Sequence, residues 1–234
     1  MLIGCAASVF GPAYLPHVVL STLLGSAATP ILSASLRNAI SMPQWTWSFN
    51  IVALTSLIRS RPLLESNSAD AAVEVATTTP GYLDVILSPL LGISQIFVVG
   101  SSLTGAGILG SIYMYSPKLS YHALGGSIAG CLVGILSGTD LNDVALGLWG
   151  YNSALSSMAV GKFFVHSRQT MVLSASSAVA SAALFGGMQT LSGAYGIPCL
   201  TLPFCTVASA CYLLEGQIPG LKLATDPHSP EKNK

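Results

Sequence analysis

Met42-Pro43-Gln44-Trp45-Thr46-Trp47-Ser48-Phe49-Asn50 recurs in outline 155 residues later as Ile197-Pro198-Cys199-Leu200-Thr201-Leu202-Pro203-Phe204-Cys205. Each copy reads apolar-Pro-x-x-Thr-x-x-Phe and opens a membrane-length apolar stretch. Proline lacks an N–H and so releases a carbonyl of the turn before it. At membrane depth such backbone is tolerated only where protein buries it or where it lines a cavity. Duplicated breaks of this kind are the mark of transporters and channels built from internal repeats, whose helices are interrupted near the bilayer midplane to present backbone to a solute.

Composition agrees with a membrane setting. Of the 234 residues only 8% are charged, against roughly 25% in a soluble domain. Residues 1–36, 85–117, 119–139, 144–161 and 169–214 contain no Asp, Glu, Lys or Arg. A spanning helix needs about 20 mostly apolar residues, so these windows predict six or more spans. The expected fold class is an all-α polytopic membrane protein, because a barrel would need short alternating strands. The formal net charge of zero argues against a nucleic-acid partner. His17 and His122 are the sole candidates for ionisable groups deep in a predicted span, whereas pumps and ion channels use buried charged groups. Passive passage of a neutral solute is therefore favoured. An enzyme is disfavoured, with no acid–base pair, no metal cluster and no cofactor motif in view. Cys5, Cys131, Cys199, Cys205 and Cys211 all lie in apolar stretches and read as small buried hydrophobes.

A polar stretch divides the chain. The expected organisation is a partial first repeat over 1–58, a polar connector over 59–87, a complete second repeat over 88–214 and a polar tail over 215–234. The last residues, 226–234, read as disordered. Residues 2–10 and 15–36 with the helix ending near Ile58 align with the latter part of the second half, while 88–153 has no counterpart. The chain therefore reads as N-terminally truncated.

Thr46 and Thr201 are the candidate solute contacts. A hydroxyl both donates and accepts, and two such elements related by a pseudo-twofold axis would bring hydroxyls and carbonyls to one narrow lumen. The competing reading is a Thr bonded back to its own helix beside a packing kink. Phe49 and Phe204 follow one turn on and either wall the lumen or pack. Asn152, in Gly147-Leu148-Trp149-Gly150-Tyr151-Asn152-Ser153, is costly in hydrocarbon unless bonded and is expected to cap broken backbone or bond across helices. Gln95 either receives solute at a pore mouth or bonds a neighbouring helix. Leu103-Thr104-Gly105 and Leu124-Gly125-Gly126-Ser127 supply small residues for close helix approach.

In that order, Gly92-Ile93-Ser94-Gln95-Ile96-Phe97, the Gly147–Ser153 element and Ile197-Pro198-Cys199-Leu200-Thr201-Leu202-Pro203-Phe204 resemble the urea transporter family. The first-half copy fits its L-P-x-x-T-x-P-F signature, with Met42 for Leu and Ser48 for Pro. The resemblance covers about residues 1–214. It implies two inverted repeats, a homotrimer in the plasma membrane with the lipid bilayer around it, and passive, channel-like transport of urea. It also implies Thr46 and Thr201 at the middle of the pore, a carbonyl ladder, Gln95 at one mouth, and Phe49, Phe204 and Phe97 as aromatic walls. Pro43, Pro198, Pro203 and Asn152 would hold the pore motif. The first-half Gln-bearing helix is missing, and Ser101-Ser102 stand where the family has Asn-Pro. Alternatives are a non-conducting subunit that associates with full-length protomers, or a channel for ammonia, water or small amides.

Overall fold

The computed structural model describes residues 15–40, 42–67 and 80–233. These are helical nearly throughout: α1 Leu15–Ile40, α2 Trp47–Asn67, α3 Tyr82–Gln95, α4 Ser102–Tyr115, α5 Pro117–Leu136, α6 Leu141–Ala145, α7 Tyr151–Phe163, α8 Arg168–Gly193 and α9 Leu202–Tyr212. Among the described residues there is no strand, and one isolated antiparallel bridge joins Phe164 to Leu223. The fold is the all-α polytopic membrane class. The expected helix over 2–10 lies outside the described residues, as does Cys5. The second helix runs to Asn67 rather than ending near Ile58.

Of the described helices, α1, α5 and α8 are long and apolar enough to cross a membrane. The charge-free windows yield fewer full crossings than expected because helices break inside them. Val98 (φ 60°) interrupts the stretch between α3 and α4, Gly147 (φ 77°) that before α7, and Leu200 (φ 49°) that before α9. Left-handed backbone ends an α-helix. The pieces restart on local caps: the Ser101 hydroxyl accepts Thr104 N–H at 3.3 Å, and Ser116 accepts Leu119 N–H at 3.1 Å with Pro117 next to it.

Two compact units divide the chain: Met1–Thr78 with Gln189–Leu202, and Thr79–Met188 with Pro203–Lys234. In the first, α1 and α2 pack through hydroxyl pairs, Ser33 to Ser48 at 2.8 Å and Ser56 to Ser21 at 2.9 Å. His17 reaches Ser21 at 3.5 Å on its own helix. Leu15, Leu23 and Ile31 of α1 are exposed, an apolar surface that suits lipid. With no hydrophobic drive between helices in lipid, small and hydroxyl residues make the contacts.

In the second unit the same rule operates through glycine. A Cβ at Gly105 would collide with the Leu90 carbonyl, and one at Gly126 would sit 2.7 Å from Ser153 O. Of the small residues expected to allow close approach, Gly105 draws α4 onto α3 and Gly126 draws α5 onto α7, while a Cβ at Gly125 would meet nothing within 4 Å. Ser127 donates to Pro89 O at 2.8 Å and Ser153 to Ala178 O at 2.9 Å. A core of Val160, Phe164, Val207, Cys211 and Leu221 joins α7, α9 and the chain beyond it. Cys131, Cys199, Cys205 and Cys211 are buried. The segment after Asp226, read as disordered, is instead docked. Glu231 accepts from the Ser116 hydroxyl at 2.6 Å and Lys118 N–H at 2.7 Å, and Asn233 donates to Lys162 O at 2.6 Å and Phe164 O at 3.2 Å. Exposed helix ends offer polar partners that composition does not reveal.

Candidate solute site

Two turns of one shape carry the threonines. Trp45 has φ 48° and Leu200 has φ 49°. Trp47 N–H reaches Gln44 O at 3.1 Å, and Leu202 N–H reaches Cys199 O at 3.2 Å. Helices α2 and α9 then begin at Trp47 and Leu202. Sequence duplication is matched by backbone duplication, down to a left-handed residue that is neither Gly nor Asn. An L-residue held there costs roughly 1–2 kcal/mol, so the surrounding structure must fix it.

Within the unit that holds both, the turns meet hydroxyl to hydroxyl: Thr46 Oγ1 lies 2.7 Å from Thr201 Oγ1. The two do not face each other across an open lumen, because at that distance nothing passes between them. They form one polar point.

Asn50 binds the pair together. It is fully buried and sits one turn after Thr46, where an i+4 side chain returns to the start of its helix. Its Oδ1 accepts Thr201 N–H at 3.1 Å. Its Nδ2 donates to Thr46 O at 3.0 Å and to Thr201 Oγ1 at 3.0 Å. Thr201 N–H can only donate and Thr46 O can only accept, so these partners assign the amide's orientation. Asn50 escaped the candidate residues, although an amide in an apolar helix is the same signal that singled out Asn152.

The remaining candidates are placed as follows. Phe49 is half-buried, as are Pro43 and Pro198. In the other unit, Gln95 ends α3, and its Nε2 donates to Leu146 O at 2.9 Å in the break before α7. Phe97 is partly exposed. Asn152, fully buried, accepts Phe204 N–H at 3.2 Å in the first turn of α9. Pro203 and Phe204 are buried. Thr46 and Thr201 are thus brought together, Asn152 meets Phe204, and Gln95 bonds to backbone.

The Thr46–Asn50–Thr201 cluster contains no ionisable group. It offers hydroxyls and an oriented amide, groups that hydrogen-bond without carrying charge. The family model described as urea transporter matches residues 1–216. Urea transporter 1 of Ovis aries is 28% identical over 206 residues, covering 84% of this chain and 54% of that protein. Urea transporter 1 of Rattus norvegicus is 26% identical over 233 residues, covering 94% of this chain and 60% of that protein. The chain thus spans little more than half the length of these relatives. With the family model matching almost its whole length, the chain belongs to the urea transporter family.

Proposed function

We propose that this chain conducts urea passively, with the Thr46–Thr201 pair as the polar point at the narrowest part of the path. The observation that carries the proposal is the hydroxyl contact of 2.7 Å between two turns of the same backbone, oriented by a buried amide. Urea is small, flat and neutral, with four N–H donors and one carbonyl. A hydroxyl pair can accept from its N–H groups and donate to its carbonyl as the solute moves past, replacing bonds lost with water. The matched turns support two repeats of inverted orientation, a partial one over 1–58 and a complete one over 88–214. Family membership supports assigning the chain to a homotrimer in the plasma membrane. Gln95 with Phe97 is assigned to a pore mouth, and Phe49 and Phe204 to aromatic walls.

The test is urea flux into proteoliposomes carrying equal amounts of folded protein. Replacing Thr201 by Val keeps shape and removes the hydroxyl, leaving urea one unsatisfied bond worth roughly 1–3 kcal/mol in the barrier, a tenfold to hundredfold loss. Thr201→Ser should be mild. Unchanged flux in Thr201→Val would remove the threonines from the path. Absence of urea flux in the wild-type chain would favour the non-conducting subunit.

A further inference from the structure

A cavity lies within the second unit, bordered by α5, α7 and the start of α8, with a volume of about 450 Å³. Its lining changes character in the same direction along two chain segments. On α5 it runs from Lys118 through Tyr121 and His122 to Gly125 and Ala129; on the other side it runs from His166 through Met171 and Ser174 to Ala178. At 1.5 Å per residue the α5 wall is about 16 Å long. One end is cationic and polar, and the other is made of small apolar residues.

We propose that this cavity binds one single-chain anionic amphiphile, a fatty acid carboxylate, with its headgroup at Lys118 and His166 and its chain along Gly125, Ala129 and Ala178. Three observations support this. First, His122 is 5% exposed, and its Nδ1 meets Ser174 Oγ at 2.7 Å, which in turn meets Ser157 Oγ at 2.7 Å. Its Nε2 makes no hydrogen bond to a described residue. That edge is not closed off by protein, so an oxygen-bearing headgroup in the cavity that His122 lines would give it a partner. Second, the Lys118 ammonium forms no ion pair with another described residue. The nearby Glu231 carboxylate is already held by the Ser116 hydroxyl and the Lys118 backbone N–H, so the cationic side chain awaits an anion. Third, space is open at the apolar end, since a Cβ on Gly125 would meet nothing within 4 Å. The volume lies at the small end of the roughly 300–1,000 Å³ typical of ligand cavities, which suits one chain rather than the two of a phospholipid.

The experiment is equilibrium binding of tritiated palmitate to the whole purified chain in a nonionic maltoside detergent at neutral pH. Saturable binding of one palmitate per chain is expected. Lys118→Gln should weaken it about tenfold or more, the usual worth of a charge-assisted bond, and Gly125→Leu should abolish it by filling the groove. Uncharged monopalmitin should compete poorly. The proposal is overturned if uptake is non-saturable, if both variants bind like wild type, or if monopalmitin or a two-chain phosphatidylglycerol competes as well as palmitate. It is also overturned if Gly125→Cys, but not the parent chain, is crosslinked to a second copy by a short bismaleimide, which would assign the groove to self-association. Should Gly125→Leu fail to fold, as judged by thermal unfolding in detergent, Lys118→Gln decides alone.

Discussion

The turn beginning at Pro43 and the turn beginning at Pro198 share a backbone shape but not a set of side chains. In the first, the residue after Phe49 is Asn50, whose side chain returns to Thr46 and crosses to Thr201. In the second, the residue after Phe204 is Cys205, buried and without amide chemistry. The first turn of α9 is met instead by Asn152, which accepts Phe204 N–H from α7. Ser48 stands where the other copy has Pro203, and its hydroxyl is tied to Ser33. The contrast teaches that duplicated geometry does not require duplicated contacts. Asn50 serves both turns, donating to Thr46 O in one and accepting Thr201 N–H in the other, while Asn152 meets Phe204 N–H farther along α9.

The comparison makes Asn50 the most sensitive position. Asn50→Leu keeps approximate volume but strands Thr201 N–H and frees the Thr201 hydroxyl to rotate. Each buried group left without its partner costs roughly 1–3 kcal/mol. We expect destabilisation of about 2–5 kcal/mol in thermal unfolding and a urea flux lowered by about a hundredfold or more. Flux at the wild-type level in a folded Asn50→Leu protein would show that hydroxyl orientation does not govern passage.

The threonines should then respond unequally. Thr201 Oγ1 lies 3.0 Å from the Asn50 amide nitrogen, whereas Thr46 Oγ1 lies 3.5 Å from it. Thr201→Val therefore breaks the oriented half of the pair and should reach the upper part of the tenfold to hundredfold range, with Thr46→Val nearer tenfold. Equal losses would mean that Asn50 orients neither hydroxyl in particular. Asn152→Leu should act mainly on stability, by roughly 1–3 kcal/mol, with flux reduced only a few-fold. A loss as large as that of Asn50→Leu would erase the distinction between the two supports.

Much of this was legible in the sequence. The repeated Pro-x-x-Thr-x-x-Phe pattern pointed to Thr46 and Thr201, because a hydroxyl beside a proline break both donates and accepts, and the two meet in the structure. The left-handed residues were not legible. Trp45, Val98 and Leu200 are large and apolar, and nothing in their side chains advertises φ > 0, so charge-free windows read as unbroken spans. Asn50 was readable in principle, as an amide one turn from Thr46 in an apolar helix, but its reach to Thr201 depends on a contact between residues 151 positions apart. The tail shows the opposite failure. Its polar composition resembles disorder, yet Glu231 and Asn233 satisfy backbone groups at Lys118, Lys162 and Phe164.

The smallest expected effect concerns that tail and serves as a control on the comparison, since Glu231 bonds to neither turn. Burial raises its pKa, but hydrogen bonds from the Ser116 hydroxyl and Lys118 N–H prevail and bring it down from 4.5 to about 2. A carboxylate with a depressed folded pKa contributes stability that is fully present above its unfolded value and is lost as pH falls through the folded one. Tail docking should thus be constant above about pH 5 and weaken between about pH 4.5 and 2. An environment-sensitive fluorophore on Lys232→Cys, an exposed position, would report undocking. Glu231→Gln should lower docking at neutral pH and flatten the acid transition, while Asp226→Asn should leave the transition in place, because among the described residues Asp226 pairs with the exposed His228 at 3.0 Å. Neither substitution should change urea flux at neutral pH. A transition that persists in Glu231→Gln would show that Glu231 does not hold the tail, and a flux change would show that the tail acts on the path after all.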